Sequence, residues 1–160
     1  MLQGDITTLE VDCVVNAANE NLMPGGGVCG AIHQAAGQEL ALECKRIGHC
    51  GVGEARITKG YHLKAKHVIH TVGPVWHGGE HGEDQYLFNC YKKSLLLATH
   101  HNIETIAFPN VSTGIFGYPK DLAAQTAIAA VKQHQNSDRS LKEVTFCCFD
   151  HDNYKQYDQL

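Results

Sequence analysis

Two glycine-punctuated stretches hold the residues best suited to chemistry. The first runs from Asn16-Ala17-Ala18-Asn19 into Pro24-Gly25-Gly26-Gly27-Val28-Cys29-Gly30, and the second is Ser112-Thr113-Gly114-Ile115-Phe116-Gly117-Tyr118-Pro119. Glycine backbone adopts conformations closed to other residues, and its N–H groups beside a helix N-terminus form a cradle for phosphate. Asn16 and Asn19 add amides that both donate and accept, Ser112 and Thr113 add hydroxyls, and Cys29 adds a thiol. Such a set suits a phosphorylated, hydroxyl-rich ligand. Tight turns alone would account for either loop, but two on matching strand ends favour one shared cleft. No Gly-Lys-Ser/Thr follows Gly27 and no G-x-G-x-x-G opens the first helix, so neither a P-loop nor a dinucleotide fingerprint is present.

The elements that must position these loops follow from apolar spacing. Val11–Val15 reads as a buried strand, and Ala31, Ile32, Ala35, Ala36, Leu40 and Cys44 recur at helical spacing, predicting one helix from Ala31 to Cys44. Ala55–Thr58 and His67–Val72 read as short strands, the second closed by Gly73-Pro74. Asp84 is the expected cap of a helix over Tyr86–His100. Thr105–Phe108 reads as a strand, Asp121–Gln133 as a helix, and Val144–Phe149 as a last strand before a short C-terminal helix. Strands that alternate with helices imply an α/β sandwich with a largely parallel sheet, whose ligands bind at the carboxyl ends of the strands.

At 160 residues, 43% hydrophobic and 19% charged, the chain is expected to form a single domain over 1–160. No apolar run reaches the roughly 18 residues of a membrane span. A net charge of -4 gives no general attraction for nucleic acid, and Lys64-Lys66-His67 and Lys92-Lys93 lack interleaved stacking aromatics. Seven scattered cysteines without a Cys-x-x-Cys pair read as reduced thiols, hence a cytoplasmic protein. His77 and His81 with His70, His62 or Cys90 would make a poor metal site, because Gly78-Gly79 opposes a helix between them and no four-ligand zinc spacing appears. No metal and no cofactor is expected. A nucleophilic pair of Cys29 with His33 lacks an identified orienting group, so His33 is expected to pack within its helix.

Gly4-Asp5-Ile6-Thr7, Val14-Val15-Asn16-Ala17-Ala18-Asn19, Gly25-Gly26-Gly27-Val28, His70-Thr71-Val72-Gly73-Pro74 and Ser112 to Pro119 together resemble the macro domain family, most closely its MacroD-type branch. The resemblance implies a three-layer α/β/α sandwich with a mixed, largely parallel sheet. It implies ADP-ribose or O-acetyl-ADP-ribose as ligand, mono-ADP-ribosylated protein as partner, and hydrolase activity on acyl-linked ADP-ribose. By this likeness Asp5, with Ile6 beside it, takes the exocyclic amine of adenine. Gly26, Gly27 and Val28 with Ser112, Thr113, Gly114, Ile115 and Phe116 wrap the pyrophosphate and distal ribose. Phe116 packs on that ribose, Asn19 hydrogen-bonds it next to the scissile bond, and Asn16 braces the loop through backbone contacts. Phe149 and Asp150 supply the adenine-stacking ring and its neighbour.

Two departures qualify the match. Where this branch reads Gly-Val-Asp-Gly, the chain reads Gly27-Val28-Cys29-Gly30, so the carboxylate credited with activating water is replaced by a thiol. Alphavirus-type macro domains also carry cysteine there and hydrolyse ADP-ribose linkages. The alternative to a hydrolase is therefore a non-catalytic ADP-ribose reader. The second departure is the abrupt start, with only Met1-Leu2-Gln3 before Gly4 where relatives usually have a longer first strand, so that edge is expected to be frayed or truncated.

Overall fold

In the computed structural model, which describes residues 1–160, one six-stranded sheet sorts alternate side chains to its two faces. The strands are β1 (Leu2–Gln3), β2 (Cys13–Ala17), β3 (Ala55–Lys59), β4 (His67–Thr71), β5 (Thr105–Phe108) and β6 (Glu143–Cys148), in the order β1-β6-β5-β2-β4-β3. All neighbours pair in parallel except β3 with β4. Cys13, Val15, Ile69, Ile106, Phe108 and Cys148 pack into a core with helices α3 (Glu83–His100), α4 (Lys120–Ser137) and α5 (His151–Asp158). Val14, Val68, Ala107 and Cys147 face the other way, against α1 (Gly27–Ala36) and α2 (Gln38–Ile47). This is the α/β/α sandwich with a mixed, largely parallel sheet that the resemblance implies. No helix is long and apolar enough to cross a membrane.

Where the elements depart from the periodicity, a specific contact intervenes. The predicted helix from Ala31 to Cys44 is two helices broken at Gly37, whose φ of +90° lies in the region that favours glycine. The apolar rhythm survives the break because Ile32, Ala36, Leu40 and Cys44 all line the same sheet face. Strand β2 starts at Cys13 rather than Val11, since the Asp12 carboxylate accepts the N–H groups of Glu104 and Thr105. β6 ends at Cys148, one residue before the predicted end, which releases Phe149 from the sheet. β1 pairs Leu2 with Cys147 and Gln3 with Cys148.

Helix α3 begins at Glu83 with Gly82 as its cap, so Asp84 does not cap it. Glu83 is instead turned inward, only 2% exposed, and its carboxylate accepts the N–H groups of His77, Gly79 and His81 at 2.9, 2.9 and 2.6 Å. One carboxylate thereby organises the whole Gly78-Gly79 turn. Burial raises its pKa, but the backbone donors of His77, Gly79, Glu83 itself and His81 outweigh that and bring it from the usual 4.5 to about 2. A folded-state value below the unfolded one gives stability that is fully present above about pH 4.5 and is lost as pH falls toward 2. Glu83→Gln is expected to lower the Tm at neutral pH and to flatten the acid limb of a Tm-against-pH profile. An acid limb identical to the wild type would assign that limb to other carboxylates.

Candidate functional site

Five parallel strands place their carboxyl ends along one edge of the sheet. In spatial order that edge carries Gly4-Asp5-Ile6 after β1, Phe149-Asp150 after β6, the second glycine loop after β5, the first after β2, and Val72 to Trp76 after β4. Both glycine loops leave neighbouring strands, so the cleft expected between them has its walls side by side.

The first loop is closed by Asn19, whose Nδ2 donates to the Met23 carbonyl at 2.7 Å and whose Oδ1 accepts the Met23 N–H at 3.0 Å. At its end Gly30 lies against Gly25 so closely that a Cβ at Gly30 would overlap the Gly25 carbonyl oxygen. No side chain caps α1 at Gly26, which leaves the first-turn N–H groups of Gly27, Val28 and Cys29 without an intrahelical acceptor. Space around Gly26 and Gly27 is open.

The second loop is pinned from within and from β4. Tyr118 N–H donates to the Ser112 carbonyl at 2.9 Å, Gly117 N–H to Gly114 at 3.0 Å, and Trp76 N–H to Phe116 at 2.8 Å, while the Trp76 and Tyr118 rings pack 4.8 Å apart. Ser112 sits at φ +68°, a conformation uncommon for a residue with a side chain, and a Cβ at Gly73 would overlap its Oγ. The N–H groups of Ser112, Thr113, Gly114, Ile115 and Phe116 have no acceptor within the protein. Neither loop contains Lys or Arg, so an anion here meets backbone donors and the N-terminus of α1.

The remaining expected residues divide by exposure. Asp5 is exposed, with Oδ1 capping a 3-10 turn at Ile6–Thr8 through Thr7 N–H and Oγ1 at 2.9 and 2.7 Å, and Oδ2 making no hydrogen bond within the protein. The Ile6 side chain is core, so only its backbone borders the edge. Phe149 is 78% exposed, an aromatic that the core does not take up, and Met23, Val75 and Ile115 add exposed apolar surface on the same edge. Asp150 caps α5 by accepting the Asn153 N–H at 2.8 Å, which holds its carboxyl below the usual range.

Asn16 departs from its expected place. It is fully buried, and it braces the loop through its side chain rather than the backbone: Nδ2 reaches His70 Nδ1 at 3.0 Å and Cys29 Sγ at 3.7 Å. Cys29, 6% exposed, in turn donates to the Met23 carbonyl at 3.6 Å. His33 packs within α1 as expected, its pKa lowered by burial, and no hydrogen bond joins it to Cys29. His70 is also buried, with its pKa lowered to about 3 by desolvation and then by His33, so its imidazole is neutral. The His77 and His81 rings lie 6.1 Å apart and far in role from His70, and no three His, Cys, Asp or Glu side chains are grouped to hold a metal ion.

Sequence reasoning missed Thr58, Met23, Trp76 and the role of His70, because none of them carries a local signature. A surface cavity of about 650 Å³ is lined by Glu54, Arg56, Lys93, His100 and Asp138. It holds neither glycine loop, and the carboxyl ends of the parallel strands locate the candidate site instead.

An α/β/α sandwich here carries two loops of free backbone donors at the ends of adjacent parallel strands, an arrangement suited to an anion. The chain belongs to the macro domain family: the Macro domain profile matches residues 15–127. Similar proteins include a macro domain-containing protein of Chlorobaculum tepidum, 56% identical over 92% of this chain and 86% of that one. An O-acetyl-ADP-ribose deacetylase of Klebsiella pneumoniae is 50% identical over 100% of this chain and 94% of its own. Among solved structures, a Trypanosoma brucei macrodomain in complex with ADP-ribose superposes with a TM-score of 0.94 at 41% identity, over 99% of this chain and 67% of that one. An Oceanobacillus iheyensis macrodomain with ADP gives 0.92 at 38% identity, over 98% and 85%.

Proposed function

We propose that residues 1–160 act as one macro domain that binds ADP-ribose and hydrolyses its acyl esters, either O-acetyl-ADP-ribose or mono-ADP-ribose on acidic protein side chains. The observation that carries the reading is the pair of loops, side by side at one edge of the sheet, whose N–H groups at 27–29 and 112–116 lack protein acceptors. A diphosphate supplies the matching acceptors. Asp5 Oδ2 suits the adenine amine, and the exposed Phe149 ring suits the base's face. The relatives named for ADP-ribose binding and for O-acetyl-ADP-ribose deacetylation support the same ligand class.

In this scheme Asn19 orients the distal ribose. Its clasp on Met23 uses one N–H and one lone pair, which leaves one of each for a sugar hydroxyl. Water attacks the ester, the bond to oxygen breaks, and the products are ADP-ribose and the free acid. Loop donors and positioning of the water against the diphosphate supply most of the rate, with Cys29 shaping the site. A non-catalytic reader is the second reading, favoured by one observation: the thiol at position 29 makes its hydrogen bonds to Asn16 and Met23, and no carboxylate stands there.

Calorimetry with ADP-ribose and turnover of mono-ADP-ribosylated protein test both readings. Saturable binding with turnover supports the hydrolase, binding without turnover the reader, and no heat at millimolar ADP-ribose removes both. Asp5→Ala should weaken ADP-ribose by roughly 1.5–3 kcal/mol, the value of a hydrogen bond to a charged acceptor, and leave ribose 5-phosphate nearly unaffected. Equal losses for the two ligands would mean that Asp5 serves the 3-10 turn alone.

A further inference from the structure

The buried face of the sheet beneath the first loop is polar where apolar side chains would be expected. Asn16 on β2 and His70 on β4 are register partners, both fully buried, and Thr58 on β3 stands next to them with its Oγ1 2.9 Å from His70 Nε2. Asn16 Nδ2 can only donate, so His70 Nδ1 accepts and the ring's proton sits on Nε2, donating to Thr58. Thr58 passes its own hydrogen to the Lys59 carbonyl at 3.1 Å. Turning the Asn16 amide over would leave two donors unpaired where now one acceptor, Oδ1, is. The second Asn16 hydrogen goes to Cys29 Sγ, whose own hydrogen goes to the Met23 carbonyl, the same oxygen that holds Asn19.

We propose that His70 is a positioning residue for the first loop: Thr58, His70 and Asn16 form a buried relay that fixes the Asn16 N–H2 toward Cys29 and, through Cys29, sets the Met23 carbonyl on which Asn19 is clasped. The proposal deepens the reading of this edge as an ADP-ribose site and rests on it only for its consequence in turnover. The imidazole suits the part because, when neutral, it offers one acceptor and one donor, and the Asn16 N–H2 on Nδ1 with Thr58 on Nε2 selects the tautomer. The other polar and titratable groups facing it are His33 on α1, with ring centroids 6.4 Å apart, Cys44 on α2, with Sγ 3.8 Å from Nε2, and Cys50, whose thiol reaches the His70 carbonyl at 3.9 Å.

The test begins with ligand-free wild-type protein. Long-range nitrogen–proton NMR should show His70 protonated on Nε2 alone through the neutral and mildly acid range. A proton on Nδ1, or titration near the ordinary 6.5, overturns the relay. His70→Leu should then speed exchange of the Met23 N–H by about tenfold or more without changing Ile106 and Ala107 on β5, whereas His70→Gln, whose amide can accept from Asn16 and donate to Thr58, should restore protection. An unchanged Met23 exchange rate, an equal rise on β5, or no difference between the two variants overturns the proposal. If His70→Leu does not fold, the wild-type tautomer decides. With acyl-ADP-ribose, the folded His70→Leu should lose kcat more than KM. Absence of any ADP-ribose binding by the wild type would sink the functional reading while leaving the exchange result to judge the relay.

Discussion

Cys29→Asp is expected to raise the single-turnover rate on mono-ADP-ribosylated protein by about 100-fold or more, the lower end of what a positioned general base contributes. The surroundings already suit a carboxylate on one side, since Asn16 offers an N–H to the atom at this position. On the other side a carboxylate would face the Met23 carbonyl oxygen, to which the thiol now donates. Two acceptors face to face strain the carbonyl that also holds Asn19, and a negative charge beside the diphosphate disfavours product. ADP-ribose affinity should therefore stay level or fall while the chemical step accelerates, which is why single-turnover rates are the measurement. A fast wild type with a harmless Cys29→Ala would show that phosphate and loop groups hold the water by themselves. Loss of turnover in Cys29→Ala with binding intact would make the thiol a direct participant, and its role as a shaping group would fall.

Adding one methyl group at either of two glycines of the same loop is expected to weaken ADP-ribose, but to lower Tm at only one of them. Gly30→Ala drives its Cβ into the Gly25 carbonyl, and backbone on both sides leaves no flexible side chain to yield. Overpacking of this kind costs about 1–3 kcal/mol, so Tm should drop. Displacement of Gly25 and the α1 N-terminus should weaken ADP-ribose at least about tenfold, as for one lost charge-assisted hydrogen bond. Gly26→Ala meets nothing within 4 Å and starts from φ -90°, which any residue adopts. Its Tm should equal the wild type, yet the methyl group adds bulk at the N-cap of α1, next to the free N–H groups of Gly27 to Cys29, and should also cost ADP-ribose affinity. Unchanged affinity in a folded Gly26→Ala would place the diphosphate elsewhere.

What the sequence determined by itself was whatever depends on neighbours along the chain. Period-two alternation in the strands separates Val14 from Cys13 and Val15, and it fixes the two faces of the sheet in advance of any partner. The glycine runs mark both loops, with Gly27 and Gly117 at positive φ, and together with the strand–helix alternation they imply the sandwich and its ligand edge. Tertiary structure decided what depends on residues far apart. Asn16 reads as one more loop amide until β2 and β4 pair and set it against His70, 54 positions away, where burial leaves a polar group no partner but another buried polar group. Glu83 lies ahead of the helix predicted over Tyr86–His100 and carries no signal of its own until the preceding loop folds three N–H groups onto it. Gly37 breaks a helix that the apolar pattern carries straight through, because the pattern records which face is buried and not whether the backbone beneath it is continuous.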